Sequence, residues 1–166
     1  MTFASIPRPV TRLRRMRPDE ADALAAIFFD AVRVGAAAFY DERQRAAWAP
    51  TPPEPAAWAT RLAAATVCVA VDDDDAAIGF ITVDDDGYVD LAFVAPAAAG
   101  RGVGTVMTRW VESWARARGL SRLHTQASLG AQPMFRACGW TVLKTQQVKR
   151  DGVTLENAVM EKLLVS

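Results

Sequence analysis

Gly100-Arg101-Gly102-Val103-Gly104-Thr105 is the stretch of this chain best suited to hold an anion. An apolar run from Val89 to Val94 leads into it. Behind it Val103, Val106, Met107, Trp110, Val111 and Trp114 recur at helical spacing. Glycines leave main-chain amides bare for close approach. The first turn of a helix adds unpaired N–H groups and the positive end of its dipole. Together they suit a phosphate or pyrophosphate. A magnesium-dependent P-loop would need a lysine at the end of the run, and none is there. The G-x-G-x-G spacing, past the midpoint and after a hairpin, is a poor dinucleotide fingerprint. A plain glycine-rich turn before a core helix explains the glycines but gives Arg101 nothing to do.

Several elements must position this loop. Val10 to Met16 reads as a first strand, and Asp19 as the cap of a helix with the stripe Leu24, Ile27, Phe28, Ala31 and Val32. Phe39 to Trp48 reads as a second short helix or helical turn, stopped by Pro50-Thr51-Pro52-Pro53. Pro55 suits the first position of a helix through Leu62. Val67 to Val71 is a strand, followed by an acidic turn, Asp72 to Asp75, expected to be a solvated tip. Ile78 to Val83 and Tyr88 to Val94 form a hairpin around Asp84-Asp85-Asp86-Gly87. The loop helix then runs to about Arg118, where Gly119 ends it. Leu123 to Ala127 is a strand and Gln132 to Ala137 a short helix. Thr141 to Lys149 and Thr154 to Leu163 make a last hairpin. The expected fold is α+β: one domain over residues 1–166, with a mixed sheet of about seven strands and helices on both faces.

Composition narrows the function. The formal net charge is zero, so no basic face for nucleic acid is expected. Met1 to Met16 lacks the apolar core of a signal peptide, and no apolar run reaches membrane-spanning length. Two cysteines, Cys68 and Cys138, make no disulfide framework, and a single histidine makes no zinc site, so no metal is expected. A reducing cytoplasm is the simplest compartment. Exposed strand edges in the last hairpin suggest a homodimer.

Ala99-Gly100-Arg101-Gly102-Val103-Gly104 resembles the acetyl-CoA loop of the GNAT superfamily of N-acetyltransferases, with Ala99 where the family usually has Gln or Arg. Leu91-Ala92-Phe93-Val94-Ala95-Pro96 is similar to the strand that enters that loop. Gln132 to Trp140 resembles the family's short helix and its closing Gly-Phe. Phe39-Tyr40-Asp41-Glu42-Arg43-Gln44-Arg45-Ala46-Ala47-Trp48-Ala49-Pro50 resembles a stretch of a bacterial, YafP-like subgroup. The resemblance implies a V-shaped splay between strands four and five. It also implies acetyl transfer from acetyl-CoA to a primary amine of a small molecule or peptide, by direct attack in a ternary complex. A non-catalytic acyl-CoA-binding module and a nucleotide-dependent enzyme are the rival readings.

The same resemblance assigns roles. Backbone groups of Phe93 and Val94 would pair with the pantetheine arm, and the amides from Gly100 through Arg101, Gly102, Val103 and Gly104 to Thr105 would take the pyrophosphate. Arg101 would add a charge. Phe135 stands where the family carries its acidic tyrosine and would be an apolar wall near the thioester. The thiolate would then leave unassisted or with a water, or another hydroxyl, Ser128 or Tyr40, would serve. His124 is a candidate base, as a neutral imidazole suits that task near neutral pH. Asp90, expected by alternation to share a face with Ala92 and Val94, would relay a proton through water. Tyr40, Gln44 and Trp48 recur at i, i+4, i+8 and are expected to share a helix face toward the acceptor amine. Cys138 has no activating neighbour in sequence, so a covalent acetyl-cysteine is not expected. His124→Ala is expected to lower turnover and spare acetyl-CoA affinity.

Overall fold

The structure is a computed structural model that describes residues 12–165. The reading of Met1 to Thr11, and the start of the expected first strand at Val10, lie outside the described residues. The strands are β1 (Arg12–Arg15), β2 (Thr66–Val71), β3 (Ala77–Val83), β4 (Tyr88–Val94), β5 (Arg122–Ser128), β6 (Thr141–Arg150) and β7 (Val153–Leu163). The helices are α1 (Ala21–Arg33), α2 (Glu42–Trp48), α3 (Pro55–Ala63), α4 (Val103–Ala117) and α5 (Gln132–Ala137). One sheet of seven strands runs in the order β1-β2-β3-β4-β5-β7-β6. Only β4 and β5 are parallel neighbours; every other pair is antiparallel.

Each face of the sheet carries its own core. On one, Val103, Met107, Val111 and Ala115 of α4 pack on Cys68, Ile81, Val89, Leu123 and Met160. Each large apolar side chain buried there contributes roughly 1.5–3 kcal/mol. On the other, Leu24 and Ile27 of α1 and Trp58 and Leu62 of α3 cover Val67, Val69, Phe80 and Leu91. The expected α4 stripe holds except at Val106, which is exposed. Glu112 is instead fully buried on that helix. Its carboxylate accepts from Lys162 Nζ at 2.9 Å and Trp140 Nε1 at 3.2 Å, tying α4 to β7 and to the end of α5. Burial pushes the Glu112 carboxyl up, but these partners and Arg109 outweigh it and hold it below its ordinary value.

Two local expectations are corrected, and a third holds except at one residue. The residue before α1 is Glu20, not Asp19, and it makes no side-chain cap. Its carboxylate holds the Arg14 guanidinium at 2.7 and 2.9 Å instead. The acidic turn is solvated at Asp72 to Asp74, as expected, but Asp75 gathers Arg12, Arg14 and Arg17 around one carboxylate. The short helix starts at Glu42, after Asp41 caps it in a reciprocal box with Gln44; Phe39 and Tyr40 precede it.

Candidate functional site

The cleft begins where β4 and β5 stop pairing. They share register at only two positions, Tyr88 with His124 and Val89 with Thr125. The approach is close: a Cβ on Gly87 would lie 2.5 Å from the Arg122 carbonyl oxygen. Past that point the Thr125 hydroxyl, donating to the Val89 carbonyl at 2.8 Å, stands in for the next rung of the ladder. The strands then diverge, and the main-chain edge of β4 toward β5 has no strand partner.

A bulge shapes the same strand. Ile81 opposes Ala92 while Val83 opposes Val89, so β4 carries one residue more than β3 between those pairs. The Leu91 N–H, left over by the bulge, donates to Thr82 Oγ1 at 3.1 Å. Ala92 and Val94 consequently join the α4 face, while Leu91 and Phe93 join the α1–α3 face. Asp90 does not share a face with Ala92 and Val94, contrary to simple alternation. It reaches α3, where both its oxygens accept from Arg61 at 2.9 Å.

At the wide end of the cleft lies a groove of about 510 Å³. Phe93, Val94, Gly100, Gly102, Val103, Gly104, Thr105 and Ser128 line it, with Phe39 and Met134 on its walls. Gly102 is the residue before α4 and has φ +81°, a left-handed conformation that favours glycine. No side chain caps this helix, and its first backbone bond runs from Val106 N–H to the Gly102 carbonyl. Among the described residues the amides from Gly100 to Thr105 therefore have no acceptor. A Cβ on Gly100 or Gly102 would meet nothing within 4 Å, so the space above these amides is open to a ligand. Arg101 is exposed beside the groove rather than lining it.

A second cavity, of about 260 Å³, opens on the α1–α3 face. Tyr40, Trp48, Tyr88, Phe93 and Phe135 give it aromatic walls, and Arg61, Asp90, Gln126, Glu156 and Asn157 give it polar ones. The groove and the cavity share Trp48, Ala92, Phe93, Ser128 and Ala131. Ser128 Oγ makes no hydrogen bond to the described residues and is not sealed from solvent.

The remaining sequence candidates separate into those at this junction and those away from it. Tyr40 borders the cavity, but its hydroxyl donates to the Glu156 carbonyl at 2.6 Å and accepts from the Leu129 N–H at 3.0 Å. Burial also pushes its phenol up, so Tyr40 is a poor proton donor. Trp48 stacks edge-on to Tyr40 with ring centroids 5.6 Å apart. Gln44 lines neither space: its Oε1 accepts from Asp41 N–H at 2.9 Å and its Nε2 donates to the Thr154 carbonyl at 3.1 Å. His124 also lines neither. It sits against Tyr88, ring centroids 5.1 Å apart, on the closed side of the divergence. Phe135 is buried against Trp140 and walls the cavity. Both cysteines are buried, and burial raises the thiol of Cys138 and pushes that of Cys68 up to about 12.

Sequence reasoning missed Arg61, Tyr88, Gln126 and Asn157. Each comes from a different element or sits at a strand position with no local motif, so only the assembled sheet reveals them. Burial pushes the Tyr88 phenol up, and the neighbouring Asp90 charge adds to the effect. Among the described residues no cluster of side chains could hold a metal ion, and no helix is long and apolar enough to cross a membrane.

Comparison with known proteins agrees with this geometry. A family model described as an acetyltransferase (GNAT) domain matches residues 15–164. An uncharacterized N-acetyltransferase, YafP of Escherichia coli (strain K12), is 30% identical over 149 residues, covering 90% of this chain and 93% of that one. A GCN5-related N-acetyltransferase from Rhodopseudomonas palustris superposes with a TM-score of 0.88 at 30% identity, over 97% of this chain and 100% of that one. A phosphinothricin acetyltransferase from Sinorhizobium meliloti, solved with acetyl-CoA, shares the fold at a TM-score of 0.74 and 22% identity, over 93% and 88% of the two chains. With the diverging strands, the bare amides ahead of α4 and a family match along nearly the whole chain, this protein belongs to the GNAT acetyltransferase family, whose co-substrate is acetyl-CoA.

Proposed function

We propose that the protein acetylates a primary amine of a small molecule or peptide by direct attack, with both reactants bound at once. The observation that carries this reading is the meeting of groove and cavity at Trp48, Ala92, Phe93, Ser128 and Ala131. Two molecules, one in each space, would touch there. Acetyl-CoA supplies an acetyl thioester, whose C–S bond is exchanged for a C–N bond. Its diphosphate suits the amides of Gly100 to Thr105, and its amide-bearing arm suits the unpaired edge of β4 at Phe93 and Val94. Arg101 adds charge from the rim.

The amine must reach the junction with a free lone pair. His124 is outside the cavity, and the Asp90 carboxylate is already held by Arg61, so neither is a strong base in contact with the acceptor. The amine instead gives its proton to water before it attacks. The rate then follows the amine's own titration, near ~8 for an α-amine and ~10 for a lysine-like one. Ser128 donates a proton to the departing sulfur, the task for which Phe135 has no hydroxyl. The raised Cys138 thiol fits no acetyl-cysteine route.

Calorimetric titration with acetyl-CoA and with NAD, followed by release of CoA thiol across an amine panel, tests the reading. Binding of acetyl-CoA alone, with thiol release matched by N-acetyl product in the mass spectrum, is expected. Preference for NAD, or binding without turnover on any amine, would overturn it.

A further inference from the structure

Four charged residues line the cavity: Arg61, Asp90, Arg150 and Glu156. Arg61 and Asp90 close on each other through two hydrogen bonds of 2.9 Å, and their charges cancel. Glu156 borders the space by its main chain, where its carbonyl takes the Tyr40 hydroxyl. Its carboxylate belongs to the other side of the sheet. Glu156 alternates with Ala158 and Met160, which pack in the α4 core, and it accepts from Gln147 across the strand pair at 3.1 Å. Arg150 has the opposite placement. It alternates with Val148 along β6; Val148 and its partner Leu155 line the cavity, whereas Gln147 and Lys149 do not. Arg150 stands exposed at the hairpin end of the cavity and makes no ion pair with any described carboxylate. The Ser128 and Tyr88 hydroxyls also lack protein partners, but they are neutral and select for no charge. A guanidinium is always protonated in a protein. Among the described residues, the charge left uncancelled on this face is therefore positive.

We infer that the acceptor is an amine that also carries a carboxylate: the amine reaches the junction while Arg150 holds the acid at the hairpin end of the cavity. The inference rests on the acetyl-transfer reading and names the substrate class within it. The planar guanidinium fork matches a carboxylate through two parallel N–H···O bonds. Ser128 pairs with Asn157 on β7, and Arg150 pairs with Val153, about 13 Å further along that strand. Such a separation suits an ω-amino acid or the two ends of a short peptide better than an α-amino acid. The aromatic walls at Tyr40, Trp48 and Phe93 suit an apolar spacer between the two ends. A diamine fits poorly, because no free carboxylate among the described residues lines the cavity to receive its second ammonium.

The test uses three amines of one shape, 4-(aminomethyl)benzoate, benzylamine and 1,4-bis(aminomethyl)benzene. Their flexible counterparts are 6-aminohexanoate, hexylamine and 1,6-diaminohexane. All are titrated into the full chain with and without CoA, then assayed for turnover with acetyl-CoA. In at least one series the acid should bind at least fivefold more tightly than the plain amine, and the diamine most weakly. Arg150→Gln, at an exposed position, should erase the advantage of the acid. It should leave the plain amine and acetyl-CoA each within twofold of wild type. An acid with no advantage in either series, an advantage that survives Arg150→Gln, equal weakening of all ligands in that variant, or wild type that binds none of the probes would each overturn the assignment. Turnover is scored separately. If no amine of either series is acetylated, the transfer reading fails, whereas the ranking of affinities still judges Arg150.

Discussion

The groove and the cavity meet at one junction but are built in different ways. The groove takes its floor from one contiguous piece of chain, a strand edge running through a glycine loop into α4, whose bare main-chain amides are its proposed recognition groups, and side chains such as Phe39 and Met134 wall it. The cavity is assembled from side chains on α1, α2, α3, β4, β5, α5, β6 and β7 and from the segment before α2. A surface made of backbone binds the same cofactor through many changes of side chain. A surface made of scattered side chains can change its ligand one residue at a time. On the proposed reading, the difference means that the shared co-substrate and the individual acceptor are handled by separable parts of one fold.

Substitution at the junction should give the largest effect. Ser128→Ala removes the free hydroxyl between the two spaces. It should lower kcat by about 100-fold, the low end for a general acid, with acetyl-CoA affinity within threefold. Rapid-quench measurement of product with a good amine checks this; a kcat within threefold of wild type would remove Ser128 from the chemistry. On the groove side, Gly102→Val places a β-branched residue at φ +81°. The strain, about 2 kcal/mol, should weaken acetyl-CoA by about thirtyfold. Amine binding to the free protein should be nearly unchanged, and a matched loss of both would show that the two surfaces are not separable.

That contrast also explains what the sequence could show. The loop was legible because amides, glycines and helix start are adjacent in the chain, and the alternating strands located the sheet around it. Asp90 was misplaced because a bulge is invisible to a strict period of two: one extra residue turned it from the α4 face to Arg61 on α3. Glu112 was invisible because its partners, Trp140 and Lys162, are far along the chain. Arg150 had no local signature at all. Its interest lies in a charge left unmatched once the sheet is assembled, which no pattern of residue types records.

His124 marks the edge of the site. It drew attention as the only histidine, yet it pairs with Tyr88 just before the strands part and lines neither space. His124→Ala should therefore change kcat/KM by less than threefold across the pH profile, while modestly lowering stability through the lost contact with Tyr88. A tenfold fall in kcat with an altered acid limb would return the imidazole to the mechanism and shift the boundary of the cavity down the strand.

Gln44 should have the smallest kinetic effect and makes the finest distinction. Spacing alone grouped it with Tyr40 and Trp48, but the helix starts at Glu42, not Phe39, so Tyr40 lies outside it. Both ends of the Gln44 amide hold backbone groups, one at the helix start and one on β7. Gln44→Ala removes half of the capping box and the tie to Thr154. The loss should be about 1 kcal/mol, or a Tm lower by about 2–4 °C for a chain of this size. The amine KM should stay within twofold, because the side chain supports the cavity wall without facing the ligand. A fivefold rise in KM with an unchanged Tm would mean that Gln44 touches the acceptor, and that the cavity reaches further along α2 than its present lining.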